Sequence, residues 1–229
     1  MRRSCGDDAR VNRLAIFDCD GTLVDSQHNI CAAMEACFDA LGLPRPPQEK
    51  TRRVVGLSLV EAMQVMAPDA PPALHVELAE EYKAAFQRMR LTGSVEEPLF
   101  DGVAELLDAL ESDGFLLGVA TGKSDRGLNI CLDCHGLAHR FVTLQTADHH
   151  PSKPHPSMVE QAMADAGAAP ETSWMIGDTS YDIAMARAAG VTAIGVSWGY
   201  HAPEELWDAG AHHVAAHPRE IIEIMRKAA

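Results

Sequence analysis

Six short apolar runs constrain this chain most, because each has the length of a β-strand and lies far enough from the next for a helix to intervene. They are Leu14–Asp18, Leu116–Thr121, Phe141–Leu144, Trp174–Asp178, Ala193–Ser197 and a weaker His213–Ala216. Strands covered on both faces are apolar throughout, and parallel neighbours need crossover connections, usually helical. Between the runs, Val103, Leu106, Leu107 and Leu110 recur at helical spacing, and the Ala-rich segment from Ser180 to Ala189 closes on Gly190. The pattern predicts an α/β fold, a doubly wound parallel sheet with a Rossmann-like core.

One stretch breaks the alternation. From Ser26 to Glu97 there is no convincing strand, only helical stripes: Ile30, Met34, Cys37, Phe38 and Leu41, then Leu78, Tyr82, Ala85, Phe86 and Met89. Pro44, Pro46, Pro47, Pro68, Pro71 and Pro72 punctuate the connections. We expect residues 26–97 to form an inserted helical cap domain, and residues 1–25 with 98–229 to form the core. An insertion directly after the first strand stands where open α/β sheets bind their ligands, so it is placed to act as a lid.

Composition narrows the partners. In 229 residues, 33 acids outweigh 19 bases, giving a formal charge of −14. Such a surface repels nucleic acid and anionic membranes. No apolar run reaches the roughly 18 residues of a spanning helix, and Met1 to Arg13 lacks the apolar core of a secretory signal. A cytoplasmic monomer or homodimer is expected. The six cysteines, Cys5, Cys19, Cys31, Cys37, Cys131 and Cys134, are therefore expected as reduced thiols. Cys131-Leu132-Asp133-Cys134-His135 has the spacing of a haem attachment site, but Arg126 to Gly136 reads as a helix closing on glycine, which makes the spacing coincidental. His149, His150 and His155 fall on a Pro-rich stretch without metal-ligand spacing and are expected in a solvated loop.

Chemistry concentrates at strand ends. Asp18-Cys19-Asp20-Gly21-Thr22 closes the first run, and in an extended segment Asp18 and Asp20 point the same way. Two acids that close repel unless a cation or proton is shared. Gly177-Asp178 closes the fourth run, with Asp182 about one helical turn later, so both can approach one point. Each could also be a simple helix cap. Together with Asp18 and Asp20, however, they bring four acids to one edge, an oxygen-rich set suited to Mg²⁺ and substrate phosphate.

Two further positions suit phosphate. Thr121-Gly122 ends a strand with a hydroxyl and an approachable backbone amide, and Lys153 sits between Ser152 and Pro154 on a stiffened loop, where it can face Asp18. Gly122-Lys123-Ser124 is not a P-loop, since position 117 is Leu where that motif requires glycine.

In that order these residues resemble the four motifs of the haloacid dehalogenase superfamily: Asp18-x-Asp20-Gly21-Thr22, Thr121, Lys153, and Gly177-Asp178 with Asp182. The helical insertion, with Val55-Gly56-Leu57 inside it, resembles the C1-type cap of the phosphoglycolate phosphatase-like branch. The resemblance implies an Mg²⁺-dependent phosphatase acting on a small phosphorylated metabolite. By that resemblance Asp18 is the nucleophile and forms an aspartyl-phosphate, and Asp20 is the general acid and base. Mg²⁺ is held by Asp18, the Asp20 carbonyl and Asp178, with Asp182 orienting that shell, while Thr121, Gly122 and Lys153 receive phosphoryl charge. Arg52 and Arg53, early in the cap, are candidates for substrate binding. Asp20 disfavours dehalogenation, because the namesake dehalogenases lack that second acid. A sugar phosphomutase, or an inactive module that binds a phosphate ligand and regulates a partner, are the competing readings. A signalling receiver domain would carry its acid pair on a separate strand and would have no such lid.

Overall fold

A computed structural model describes residues 11–228, so Cys5 and most of the polar leading stretch lie outside the described residues. The first strand, β1 (Asn12–Phe17), leads into four helices, α1 (Gln27–Ala40), α2 (Gln48–Arg52), α3 (Leu59–Met66) and α4 (Pro72–Leu91). Alternation follows: α5 (Val103–Ser112), β2 (Phe115–Thr121), α6 (Asp125–Cys134), β3 (Phe141–Thr146), α7 (Ser157–Ala166) and β4 (Ala168–Gly177). The chain ends with α8 (Ser180–Ala188), β5 (Thr192–Val196), α9 (Pro203–Asp208), β6 (His213–Ala215) and α10 (Pro218–Ala228). The six strands form one parallel sheet in the order β3-β2-β1-β4-β5-β6, the doubly wound arrangement. All six apolar runs are strands, though β4 begins six residues earlier than its run and Asp18 and Asp178 fall just beyond the strand ends.

Side-chain alternation along β1 divides the core. Ala15 and Phe17 face a cluster with Leu106, Leu110, Leu128 and Ile221, whereas Leu14 and Ile16 face one with Met158, Val159 and Ile183. The helices between β1 and α5 have an apolar cluster of their own, in which Met34, Phe38, Met63 and Leu78 meet. Two adjacent strands of backbone join that layer to the sheet: Val24 bridges Leu99, the Asp25 amide donates to the Pro98 carbonyl, and the Phe100 amide donates to the Leu23 carbonyl.

Because the strand order turns outward in both directions from β1 and β4, the crevice between their carboxyl ends is the switch point where such sheets bind ligands. Phe17 pairs with Ile176 of β4 and Val119 of β2, so three strands finish side by side. That register delivers Asp18, Thr121 and Asp178 to one edge.

Candidate active site

Asp18 leaves β1 with its amide donating to the Ile176 carbonyl at 2.9 Å, and its side chain is buried. One carboxylate oxygen, Oδ1, accepts from the Cys19 amide at 2.7 Å and from Lys153 Nζ at 3.0 Å; the other, Oδ2, has no protein partner. Lys153 reaches in from the loop before α7, fully buried, and also donates to Asp182 Oδ1 at 2.6 Å. Asp182 opens α8 and caps it: its Oδ2 accepts from the Thr179 amide and hydroxyl, while Thr179 Oγ1 accepts from the Asp182 amide. Asp178 accepts from Thr22 Oγ1 and from the Tyr200 amide, both at 2.9 Å. Gly21, at φ +85°, is needed here, since a side chain would strain the turn and strike the Asp178 carboxylate.

Asp18, Asp178 and Asp182 each offer an oxygen, and these oxygens lie within 4.8 Å of one another. Burial is the main force on their protonation. It pushes the Asp18 carboxyl up to about 7, against the pull of Lys153 and with further repulsion from Asp182 and Asp20. Asp178 is held well above the ordinary carboxylate range by burial and then by Asp182 and Asp18. Burial alone would favour neutral Lys153, but Asp18 and Asp182 outweigh it and raise the ammonium above its usual value. Three acids against one lysine leave an excess of negative charge and an orphaned oxygen, so the donor set fits a divalent cation.

Asp20 is placed differently. Its carboxylate turns from the acid cluster to accept from Ser26 Oγ and to pair with Lys123 Nζ at 2.8 Å. Lys123 also pairs with Glu97 at 2.7 Å, and Glu97 with Arg90 of α4 at 3.0 Å. Burial opposes the charge on Lys123, but Asp20 and then Cys19 and Glu97 hold it protonated.

A cavity of about 870 Å³ lies between this edge and the helical layer. Asp18, Asp20, Thr121, Gly122 and Lys123 line it. Lys153, Asp178 and Asp182 do not; they stand behind Asp18. Gly122 has no room for a side chain, because a Cβ there would come within 2.7 Å of the Gly56 and Leu57 carbonyls of the helical layer. Nearby, the Ser58 amide donates to Ser152 Oγ at 2.9 Å.

Arg52 and Arg53, in the helical layer, do not line the cavity. Arg53 reaches outward to Glu205 at 2.6 Å, and Arg52 lies 2.8 Å from the side-chain oxygen of Gln27. Cys131 is buried and Cys134 exposed on one helix, and the described cysteines are all free thiols. His149 is exposed, as expected of a loop residue, but His150 is tied to Ser157 and Gln145. Sequence reasoning missed Lys123, Glu97 and Ser26. For Lys123 a signal was present, two residues past Thr121 at a strand end; for Glu97 there was none.

A carboxylate and lysine centre at the switch point of a doubly wound sheet, roofed by helices, defines a class of enzymes that act on an anionic group. Residues 15–196 match the family model of haloacid dehalogenase-like hydrolases, and the chain belongs to that family. It is similar to "Probable phosphatase IndB" of Dickeya dadantii, 36% identical over 92% of this chain and 89% of that one. Other relatives are N-acetylmuramic acid 6-phosphate phosphatase of Pseudomonas aeruginosa (33%, 94% and 96%) and phosphoglycolate phosphatase of Xylella fastidiosa (32%, 84% and 83%). Among solved structures, a predicted phosphatase from Clostridium acetobutylicum superposes with a TM-score of 0.85 over 95% of this chain and 99% of that one, at 24% identity. No helix among the described residues is long and apolar enough to cross a membrane.

Proposed function

We propose that this hydrolase is an Mg²⁺-dependent phosphomonoesterase of the phosphoglycolate phosphatase-like branch, working through an aspartyl-phosphate on Asp18 beneath a helical cap. One observation carries the proposal: Asp18 lines the cavity with a buried carboxylate that has one oxygen held by Lys153 and the other unpartnered, in a cluster with Asp178 and Asp182.

Mg²⁺ would be held by Asp18 and Asp178, with Asp182 orienting that shell, and would supply positive charge against a substrate dianion. Asp18 attacks phosphorus as the ester P–O bond breaks. Lys153 orients its carboxylate and favours the ionised form against burial. Asp20, on the cavity wall, gives its proton to the departing oxygen. It then takes a proton from the water that attacks phosphorus, which frees inorganic phosphate and regenerates Asp18. Thr121 Oγ1 and the Gly122 amide, also lining the cavity, receive the phosphoryl oxygens.

The test is phosphate release from an aryl phosphate with and without Mg²⁺, with acid-quenched samples examined by peptide mass spectrometry. Release that needs the metal, and a phosphate on the peptide carrying Asp18, are expected. Release without metal and without label at Asp18 would overturn the mechanism, and a hexose phosphate isomerised faster than hydrolysed would make the protein a mutase.

A further inference from the structure

The cavity is far larger than a phosphoryl group requires. At about 870 Å³ it falls within the range of roughly 300 to 1,000 Å³ typical of pockets that enclose drug-sized molecules. Its floor is polar, and Lys83, Gln87, Arg126 and His135 add polar groups elsewhere on its lining. Ile30, Met34, Val55 and Leu59 make much of its wall, together with the aromatic pair Tyr82 and Phe86, whose ring centres lie 5.9 Å apart.

The aromatic pair stands on the side where the ester breaks. Lys123 Nζ pairs with Asp20 at 2.8 Å and lies 5.9 Å from the Phe86 ring centre. Asp20 is the group that protonates the departing oxygen, so whatever is attached to that oxygen extends along Phe86 and Tyr82.

Charge disfavours one kind of leaving group. Lys123, which pairs with Asp20, is shared with Glu97 at 2.7 Å, and Arg90 is paired with Glu97 at 3.0 Å and lies 5.3 Å from the Phe86 ring centre. A carboxylate on the substrate would have to compete with Asp20 and Glu97 for both. Arg126 and Lys83 also line the cavity, but as exposed residues, and Lys83 is paired with Glu80 at 2.8 Å. Arg52 and Arg53 face elsewhere. A compact, carboxylated ester such as phosphoglycolate matches neither the volume nor the charge.

Resting on the phosphatase proposed above, we infer that the substrate is the phosphomonoester of a bulky, uncharged and largely apolar alcohol bearing a ring, which packs against Tyr82 and Phe86. Water and the ester give inorganic phosphate and the free alcohol, with no other reactant.

Three esters of primary alcohols test this: 3-phenylpropyl phosphate, ethyl phosphate and phosphoglycolate, compared by kcat/KM with Mg²⁺ present. The phenylpropyl ester is expected to exceed both others by about 30-fold or more, the value of burying a ring. Phe86→Ala is expected to lower the phenylpropyl-to-ethyl ratio about tenfold and Phe86→Tyr to preserve it within about threefold. Because the readout is a ratio, partial misfolding of a variant cancels. Preference for phosphoglycolate, or a ratio indifferent to Phe86→Ala, would overturn the inference while leaving the phosphatase standing. No release from these esters or from an aryl phosphate would overturn the phosphatase itself.

Discussion

The edge of the sheet and the helical layer above it face the same cavity with opposite chemistry. At the edge, Asp18, Thr121, Lys153 and Asp178 are buried and tied to backbone or to each other. Above it, Tyr82, Phe86, Met34 and Leu59 offer apolar surface from helices whose cluster contains no strand residue. Apart from Asp18 Oδ2, the carboxylate oxygens and the ammonium group at the edge each have a contact, so a change there removes a step. A change in the roof alters only how well a body fits, and so alters selectivity.

The largest effect that would sharpen this contrast comes from Asp18→Asn. The side chain keeps its shape and can still accept from the Cys19 amide, while Lys153 retains Asp182. Turnover should fall by on the order of 10⁴-fold or more, as for removal of other nucleophiles, with circular dichroism unchanged. Activity within about tenfold of the parent would break the division, because the edge would then be dispensable.

Lys123→Met is expected to be next. Lys123 touches Asp20 rather than the reacting atoms, so it is a positioning residue. Hydrolysis of alkyl phosphates, whose leaving oxygen needs a proton, should drop about 100-fold, the lower end of general-acid contributions. Hydrolysis of p-nitrophenyl phosphate should drop far less, since its leaving group departs as a stable anion. Lys123→Arg should restore much of the alkyl activity. Equal losses on both substrates would show that Lys123 only supports the fold.

A third effect concerns stability. Burial raises the Asp18 carboxyl from 3.8 to about 7, so between those values the folded protein holds a proton that the unfolded chain has released. A raised pKa of this kind contributes stability that is complete below about pH 4 and is lost as pH rises toward 7; Asp178 shifts in the same direction. The metal-free protein should therefore melt at lower temperature at pH 8 than at pH 5, at about 2–4 °C per kcal/mol for a chain of this size. Mg²⁺ should remove most of that difference by binding the ionised acids. A melting temperature that rises with pH in the absence of metal would contradict the arrangement at the edge.

The two regions also differed in how far they could be read in the sequence. A strand end fixes where its next residue goes, so Asp18, Thr121 and Asp178 were legible from apolar runs followed by polar residues, and the register of β1 with its neighbours then assembled them. Lys153 was legible from a proline-stiffened loop and, more firmly, from its resemblance to a family motif. Glu97 was hidden because its place depends on residues 98–100 returning alongside Leu23 to Asp25, a pairing across more than seventy residues with no local mark. The aromatic wall was visible as a helical stripe, Tyr82 and Phe86 among its members, but a stripe does not say whether it faces a core or a cavity. Arg52 and Arg53 lie away from the cavity, which was hidden for a similar reason: position along the helix gives no direction for a long side chain.

That placement supplies the smallest predicted effect. Arg53 lies on the helical layer and holds Glu205 of α9 from a side chain 59% exposed, while its carbonyl accepts from the Tyr181 hydroxyl at 3.2 Å. Replacing it with alanine keeps the carbonyl and removes only an exposed ion pair of the kind that contributes about 0–1 kcal/mol. Arg53→Ala should therefore shift melting by no more than about 2–4 °C, and kcat/KM for any ester should move less than about threefold. A tenfold rise in KM confined to anionic esters would show that Arg53 leaves Glu205 and turns toward the cavity when substrate arrives. The roof would then carry charge as well as shape, and its contrast with the sheet edge would be one of degree.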